Sequence, residues 1–303
     1  MTVTDVDFTS GGVRCSAWHF SAGSELLTGP AGRPVVVLAH GFGGTRDSGL
    51  APFAERFAAA GADAFAFDYR GFGASDGTPR QTISLTRQEQ DYGAAIDAAK
   101  RLPGVDPRRV VIWGSSMSGS HVFQVGADRD DVAAVIAMTP LTSGLAAGRA
   151  AVAHTGVLKA LSVTAAGVSS RVAQARGGAQ KFIPVVSRPG EGGALALEGA
   201  YESYTAMAGP MWRNEIDASV GFELGTIRAT PAAKRLTARL LVQIADFDRY
   251  VPAHAVAKTA QAGRAEVHHY PCDHFDVWPG HDWFEKASDD QVAFLRRVFA
   301  SDG

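Results

Sequence analysis

Cysteine is scarce in this chain. It has 2 in 303 residues, Cys15 and Cys272, far apart in sequence. Two distant thiols give no disulfide framework, and a reducing compartment, the cytoplasm, is the default expectation. Long apolar runs are missing as well: nowhere do about 18 apolar residues follow one another, which argues against a membrane-spanning helix. The first residues, Met1 to Asp7, are acidic and lack the basic and apolar pattern of a secretion signal. Excess charge of either sign is absent, and a formal net charge of -2 implies no general attraction to nucleic acid. There is no internal repeat. One gap is local. No Asp or Glu occurs from Val132 to Gly190, while Arg149, Lys159, Arg171, Arg176, Lys181 and Arg188 do, so this segment carries +6 and the remainder -8.

What is present has the composition of a soluble globular enzyme, 46% hydrophobic and 20% charged. The length suits one large α/β domain with an inserted subdomain. Val3 to Phe8 and Val13 to Phe20 are β-like runs joined by Thr9-Ser10-Gly11-Gly12, a hairpin signal. Val35 to Ala39, Ala64 to Phe67, Val110 to Trp113 and Val132 to Met138 are continuous apolar strands of the kind buried on both faces of a parallel sheet. Helical patterns fall between them: Pro52 to Ala60, Thr86 to Leu102 and Met117 to Val125. The alternation predicts βαβ units and a mostly parallel central sheet with helices on both faces. The rhythm stops at Leu141 and returns at Leu240. About a hundred residues without it is too long for a structureless loop. The expected organisation is therefore a core of residues 1–140 and 240–303 with an inserted, mainly helical cap at 141–239. The returning half predicts a strand at Leu240 to Ile244, a helix at Pro252 to Ala262, a strand at Glu266 to Tyr270 and a closing helix at Trp283 to Ala300.

Ser116 falls in Val110-Val111-Ile112-Trp113-Gly114-Ser115-Ser116-Met117-Ser118-Gly119, where a buried strand gives way to a helix. A serine at such a corner is held in a sharp turn with its hydroxyl exposed above the sheet. The usual pattern is G-x-S-x-G. Here Ser118 stands where the second glycine is expected, a change a small residue tolerates. A serine hydroxyl needs a base, and the base needs an orienting acid. His274 lies beyond the last strand. Asp246 and Asp248 follow the penultimate one, and Asp248, in a D-x-x-V-P context, is preferred. A second route, an acid after the Val132 to Met138 strand, is closed because that stretch has no acidic residue.

The motifs HGFGG at 40–44, DYRGFGASDG at 68–77, GSSMSG at 114–119, DFDRYVP at 246–252 and HYPCDHFDVW at 269–278 together resemble the α/β-hydrolases, and among them the dienelactone-hydrolase-like and X-Pro-dipeptidyl-peptidase-like serine hydrolases. The order of nucleophile, acid and histidine is that of the family. The resemblance implies a catalytic Ser116, Asp248 and His274. It also implies an oxyanion hole from two backbone N–H groups, that of Met117 directly after the nucleophile and that of Phe42 in the H-G-x-x-G turn.

Other residues have two readings. His268, His269, Cys272 and His274 are dense enough to suggest a metal, but neighbours on a strand point to opposite faces, so no metal is expected. No cofactor is expected either. His121 reads as structural, and His40 as a brace for its turn. Asp68 and Arg70 are expected to pair and hold loops. Tyr201, Tyr204, Met207, Trp212 and Phe222 either line a substrate pocket under the cap or form the cap's core. The favoured activity is hydrolysis of carboxylic esters of a small-molecule acyl substrate, and the basic segment raises the alternative of an anionic one. Thioester, peptide or C–C hydrolysis and acyl transfer or cyclisation use the same residues. A non-catalytic binding protein on this fold is the reading from another class. A homo-oligomer is possible.

Overall fold

The computed structural model describes residues 1–300, the side chains of 158–160 excepted. The chain opens with a hairpin, β1 (Val3–Ser10) and β2 (Val13–Phe20), turned through Gly11 and Gly12 at φ 54° and 77°. Then follow β3 (Arg33–Ala39), α1 (Ala51–Ala59), β4 (Asp63–Phe67), α2 (Leu85–Ala99), β5 (Val105–Ser115), α3 (Met117–Ala127) and β6 (Val132–Met138). The next stretch brings α4 (Gly144–Thr155), α5 (Val157–Ala175), β7 (Phe182–Ile183), α6 (Ala200–Met207), β8 (Ile216–Asp217), α7 (Val220–Gly225) and α8 (Thr230–Arg235). The chain closes with β9 (Arg239–Ala245), α9 (Ala253–Ala262), β10 (Glu266–Tyr270) and α10 (Phe284–Phe299).

The main sheet has the order β1-β2-β4-β3-β5-β6-β9-β10. Only the junctions made by β2 are antiparallel; the other five are parallel. The apolar runs explain this. Val35–Ala39, Ala64–Phe67 and Ala134–Met138 are fully buried, which requires a helical layer on each face of the sheet. Those layers are α1 with α10 on one side and α2, α3, α8 and α9 on the other. The parallel strands β3, β5, β9 and β10 all end on one edge, and the loops after them carry His40 to Gly44, Ser116, Asp248 and His274. In open α/β sheets this edge is where ligands bind.

The stretch between β6 and β9 adds no strand to the main sheet. It is mostly helical, with a single two-stranded pair, β7 and β8. α8, the last helix of the expected cap, packs on α3 and α9. The proposed cap is also sewn to the core by Asp217 N–H to Gln81 O (2.8 Å) and Gln81 Nε2 to Glu215 O (2.9 Å).

Candidate active site

The corner at Ser116 is built by close approach. β5 runs straight into α3, and Ser116 takes φ 54° and ψ -115°, a left-handed conformation that costs a non-glycine residue roughly 1–3 kcal/mol. The surroundings hold it there. Ser116 N–H bonds Met138 O (3.0 Å) and its carbonyl accepts from Leu141 N–H (2.8 Å). A Cβ on Gly114 would lie 2.3 Å from Ser118 O, and one on Gly119 would lie 2.6 Å from Pro140 Cβ, so both positions demand glycine. Ser118 does more than fit. Its buried hydroxyl accepts from Ser115 N–H (2.9 Å) and donates to Ala39 O (2.7 Å), tying the corner to the end of β3.

Ser116, His274 and Asp248 come together from three loops. His274 Nε2 is 3.1 Å from Ser116 Oγ, and His274 Nδ1 is 2.6 Å from Asp248 Oδ2. The carboxylate can only accept, so Nδ1 carries the proton and Nε2 is free to take one from the serine. The other oxygen of Asp248 accepts the N–H groups of Tyr250 (2.8 Å) and Val251 (2.7 Å), which fixes the carboxylate toward the imidazole. Asp246 instead pairs with His269 (2.7 Å) at the surface.

Burial lowers the basicity of His274. The charge and hydrogen bond of Asp248, with the charge of Asp273 behind them, outweigh that and leave its pKa raised above the ordinary 6.5. Below that raised pKa the imidazole is protonated and cannot accept the serine proton. The acid limb of kcat/KM is therefore expected to bend above pH 6.5, with a plateau on its alkaline side, and Asp273→Asn should move the bend to lower pH. Profiles of both proteins on one ester check this; a bend below 6.5, or one unmoved by the substitution, would count against a histidine base in this environment.

Phe42 and Met117 flank the serine. Met117 is the first residue of α3, a position whose N–H has no intrahelical acceptor. Gly41 presses against the corner, its Cβ position only 3.2 Å from Ser116 Cβ, which brings the Phe42 peptide close to Ser116. His40 is buried, and burial pushes its pKa down to about 4, so it stays neutral and donates from Nδ1 to Gly41 O (3.0 Å). That carbonyl belongs to the same peptide unit as the Phe42 N–H.

A small cavity of about 30 Å³ opens onto Ser116 and His274. Its apolar walls include Phe42, Leu195, Met207, Phe275 and Trp278, with Tyr204 beside them. Of the five pocket residues expected from sequence, only Tyr204 and Met207 reach it. Trp212 stacks behind Tyr204, with ring centroids 5.2 Å apart. Tyr201 lies under Arg188, and Phe222 under Arg171. Phe275 and Trp278 were missed, although they sit one and four residues past the histidine. No charged residue of the basic segment lines the cavity: Arg171 and Arg188 face Glu223 and Glu202 instead, and Lys159 has its side chain outside the described residues.

The remaining expectations resolve locally. Asp68 and Arg70 do not pair with each other: Asp68 receives the Arg46 N–H (2.7 Å) and Arg70 pairs with Asp91. His121 is fully buried against Gln88 (3.1 Å). His268 pairs with Glu266 and Asp290, so the histidines near β10 each keep their own carboxylate, and among the described residues no three potential ligands converge on one point.

A family model described as Hydrolase_4, serine aminopeptidase S33, matches residues 30–272. The chain belongs to this family of α/β-hydrolases. The quorum-quenching protein AidA of Acinetobacter baumannii is 34% identical to the hydrolase over 299 residues, 97% of this chain and 94% of its own. Thiohydrolase aneE of Aspergillus aculeatus is 33% identical over 117 residues, 39% of this chain and 37% of its own. The crystal structure of the α/β-hydrolase GrgF from a Penicillium species superposes at a TM-score of 0.80 with 21% identity, over 99% of this chain and all of that one, which speaks for the fold. Among the described residues no helix of the hydrolase is long and apolar enough to cross a membrane.

Proposed function

We propose that this hydrolase cleaves carboxylic esters with a neutral, apolar acyl group through an acyl-enzyme on Ser116. The observation that carries the reading is the hydrogen-bonded chain from Ser116 through His274 to Asp248, opening onto a cavity with apolar walls. His274 takes the proton of Ser116 as its oxygen attacks the ester carbonyl, Asp248 orients and stabilises the imidazolium, and the N–H groups of Phe42 and Met117 receive the carbonyl oxygen. His274 then returns the proton to the leaving alcohol. Water attacks the acyl-enzyme by the same steps, with His274 taking its proton, and Ser116 is released.

Cleavage at a free amino terminus, which the family description suggests, calls for a carboxylate to pair with the substrate ammonium. Among the described residues the cavity wall holds neither Asp nor Glu, and Asp248 lies behind the imidazole. Nor does it hold a Lys or Arg among them for an anionic substrate. A thioester reading is favoured by the thiohydrolase relative and needs no change in the site, since the same apolar acyl group is carried by a thiolate. Matched ester, thioester and anilide of one short acyl chain, with a fourth ester bearing a distal carboxylate, test the proposal. The expected order of kcat/KM is ester first, anilide last, and neutral over charged ester. Preference for the thioester would transfer the reading to that class, and preference for an amino-terminal anilide would overturn it.

A further inference from the structure

The oxyanion turn is held from both the core and the cap. Three successive carbonyls, those of Gly41, Phe42 and Gly43, each accept a hydrogen bond from a side chain. His40, from the core, donates to Gly41 O at 3.0 Å. Tyr204, on α6 of the cap, donates its hydroxyl to Phe42 O at 2.7 Å. Trp212, also in the cap, donates Nε1 to Gly43 O at 3.0 Å. A planar trans peptide points its N–H opposite its C=O, so the bond to Gly41 O directs the Phe42 N–H, while the bonds to Phe42 O and Gly43 O fix the next two peptides and with them the turn in which Phe42 sits. The last two glycines of the motif serve the same contact. A Cβ on Gly43, at φ 64°, would lie 2.8 Å from Val185 of the cap, and one on Gly44 would lie 3.1 Å from the Tyr204 hydroxyl. Burial raises the pKa of that phenol, so it remains a donor throughout the working range.

We propose that Tyr204 and Trp212 are positioning residues that hold the turn from which the Phe42 N–H reaches the oxyanion, so that seating the cap completes the catalytic site. The inference rests on the acyl-enzyme reading above. It gives the cap a task besides covering the substrate. A cavity of about 30 Å³ has room for roughly two water molecules, so an acyl group enters only when the wall carrying Leu195, Tyr204 and Met207 moves. The same movement draws the Tyr204 hydroxyl off Phe42 O. Return of the cap over a bound acyl group restores both hydrogen bonds, and with them the donor geometry on which oxyanion stabilisation depends.

The test uses the whole chain with Tyr204→Phe, Trp212→Phe and Ser116→Ala. Each is assayed on a short neutral ester and titrated with an alkyl boronate, which becomes a tetrahedral anion on a serine oxygen and so reports the oxyanion site. Thermal melts choose a temperature at which every variant is folded. Tyr204→Phe is expected to lower kcat about tenfold to a hundredfold, the range for a misplaced catalytic group, with KM little changed. Boronate affinity should fall by the same factor as kcat/KM, and the bend of the pH profile should stay in place because His274 and Asp248 are untouched. Trp212 does not line the cavity, so a loss of the same kind in Trp212→Phe cannot come from substrate contact; this variant decides alone should the first not fold. A purely structural role would lower the melting temperature and leave kcat and boronate affinity at the wild-type level, and that result overturns the proposal. Full activity in Ser116→Ala would overturn the acyl-enzyme reading itself, whereas an inactive Ser116→Ala beside an unimpaired Tyr204→Phe and Trp212→Phe would sink the positioning role alone.

Discussion

Ser116→Ala is expected to lower kcat by about 10⁶-fold while leaving the fold intact. The size of the loss follows from what the site becomes without the hydroxyl. His274 and Asp248 keep their hydrogen bond at 2.6 Å, but the base has no nucleophile to activate. Only binding and the backbone donors remain. The fold should tolerate the change, because among the described residues Ser116 Oγ bonds only the imidazole. Alanine still has to adopt the strained φ of 54°, yet that demand is the same for serine. Steady-state rates and thermal melts on one preparation check both halves. Residual activity within about a hundredfold of wild type would place the nucleophile elsewhere.

Asp248→Asn is expected to cost about 10⁴-fold in kcat, against little for Asp246→Asn. With its oxygen kept on the N–H groups of Tyr250 and Val251 the carboxamide holds the loop, and its NH2, a donor, then faces the imidazole. A donor facing His274 would favour the tautomer with its proton on Nε2, which cannot take one from Ser116. Asp246 has its partner in His269, away from the cavity, and its loss should touch neither. The two variants assayed side by side decide the assignment: greater damage from Asp246→Asn would mean that the wrong carboxylate was chosen.

Much of this was legible in the sequence because the strands concerned are buried on both faces. Continuous apolar runs such as Val132 to Met138 have few ways to be satisfied outside a covered parallel sheet, and the chemistry-bearing residues follow directly where such runs stop. The acid gap after Val132 narrowed the acid to a single loop for the same local reason. The cap was less legible. Its helices are held by contacts to distant turns, so neither the packing of α8 on α3 and α9 nor the wall of the cavity shows in any local period. Tyr204 and Trp212 stood out as large aromatics, but their hydrogen bonds to Phe42 and Gly43 join positions 162 and 169 residues apart. Ser118 is a similar case. Read alone it is a tolerated substitution for glycine; in the structure its hydroxyl bridges two strand ends. A run of one sign says nothing about which side of a helix faces the site, and Arg171 and Arg188 turn to Glu223 and Glu202.

In the proposed reaction the Oγ of Ser116 is the atom that becomes covalently acylated. Labelling with a fluorophosphonate probe, followed by mass spectrometry of the peptides, tests it most directly. One phosphonyl group is expected, on Ser116, with esterase activity lost in step with labelling and no label in Ser116→Ala. A label on Ser115 or Ser118, or ester turnover that survives complete labelling, would contradict it.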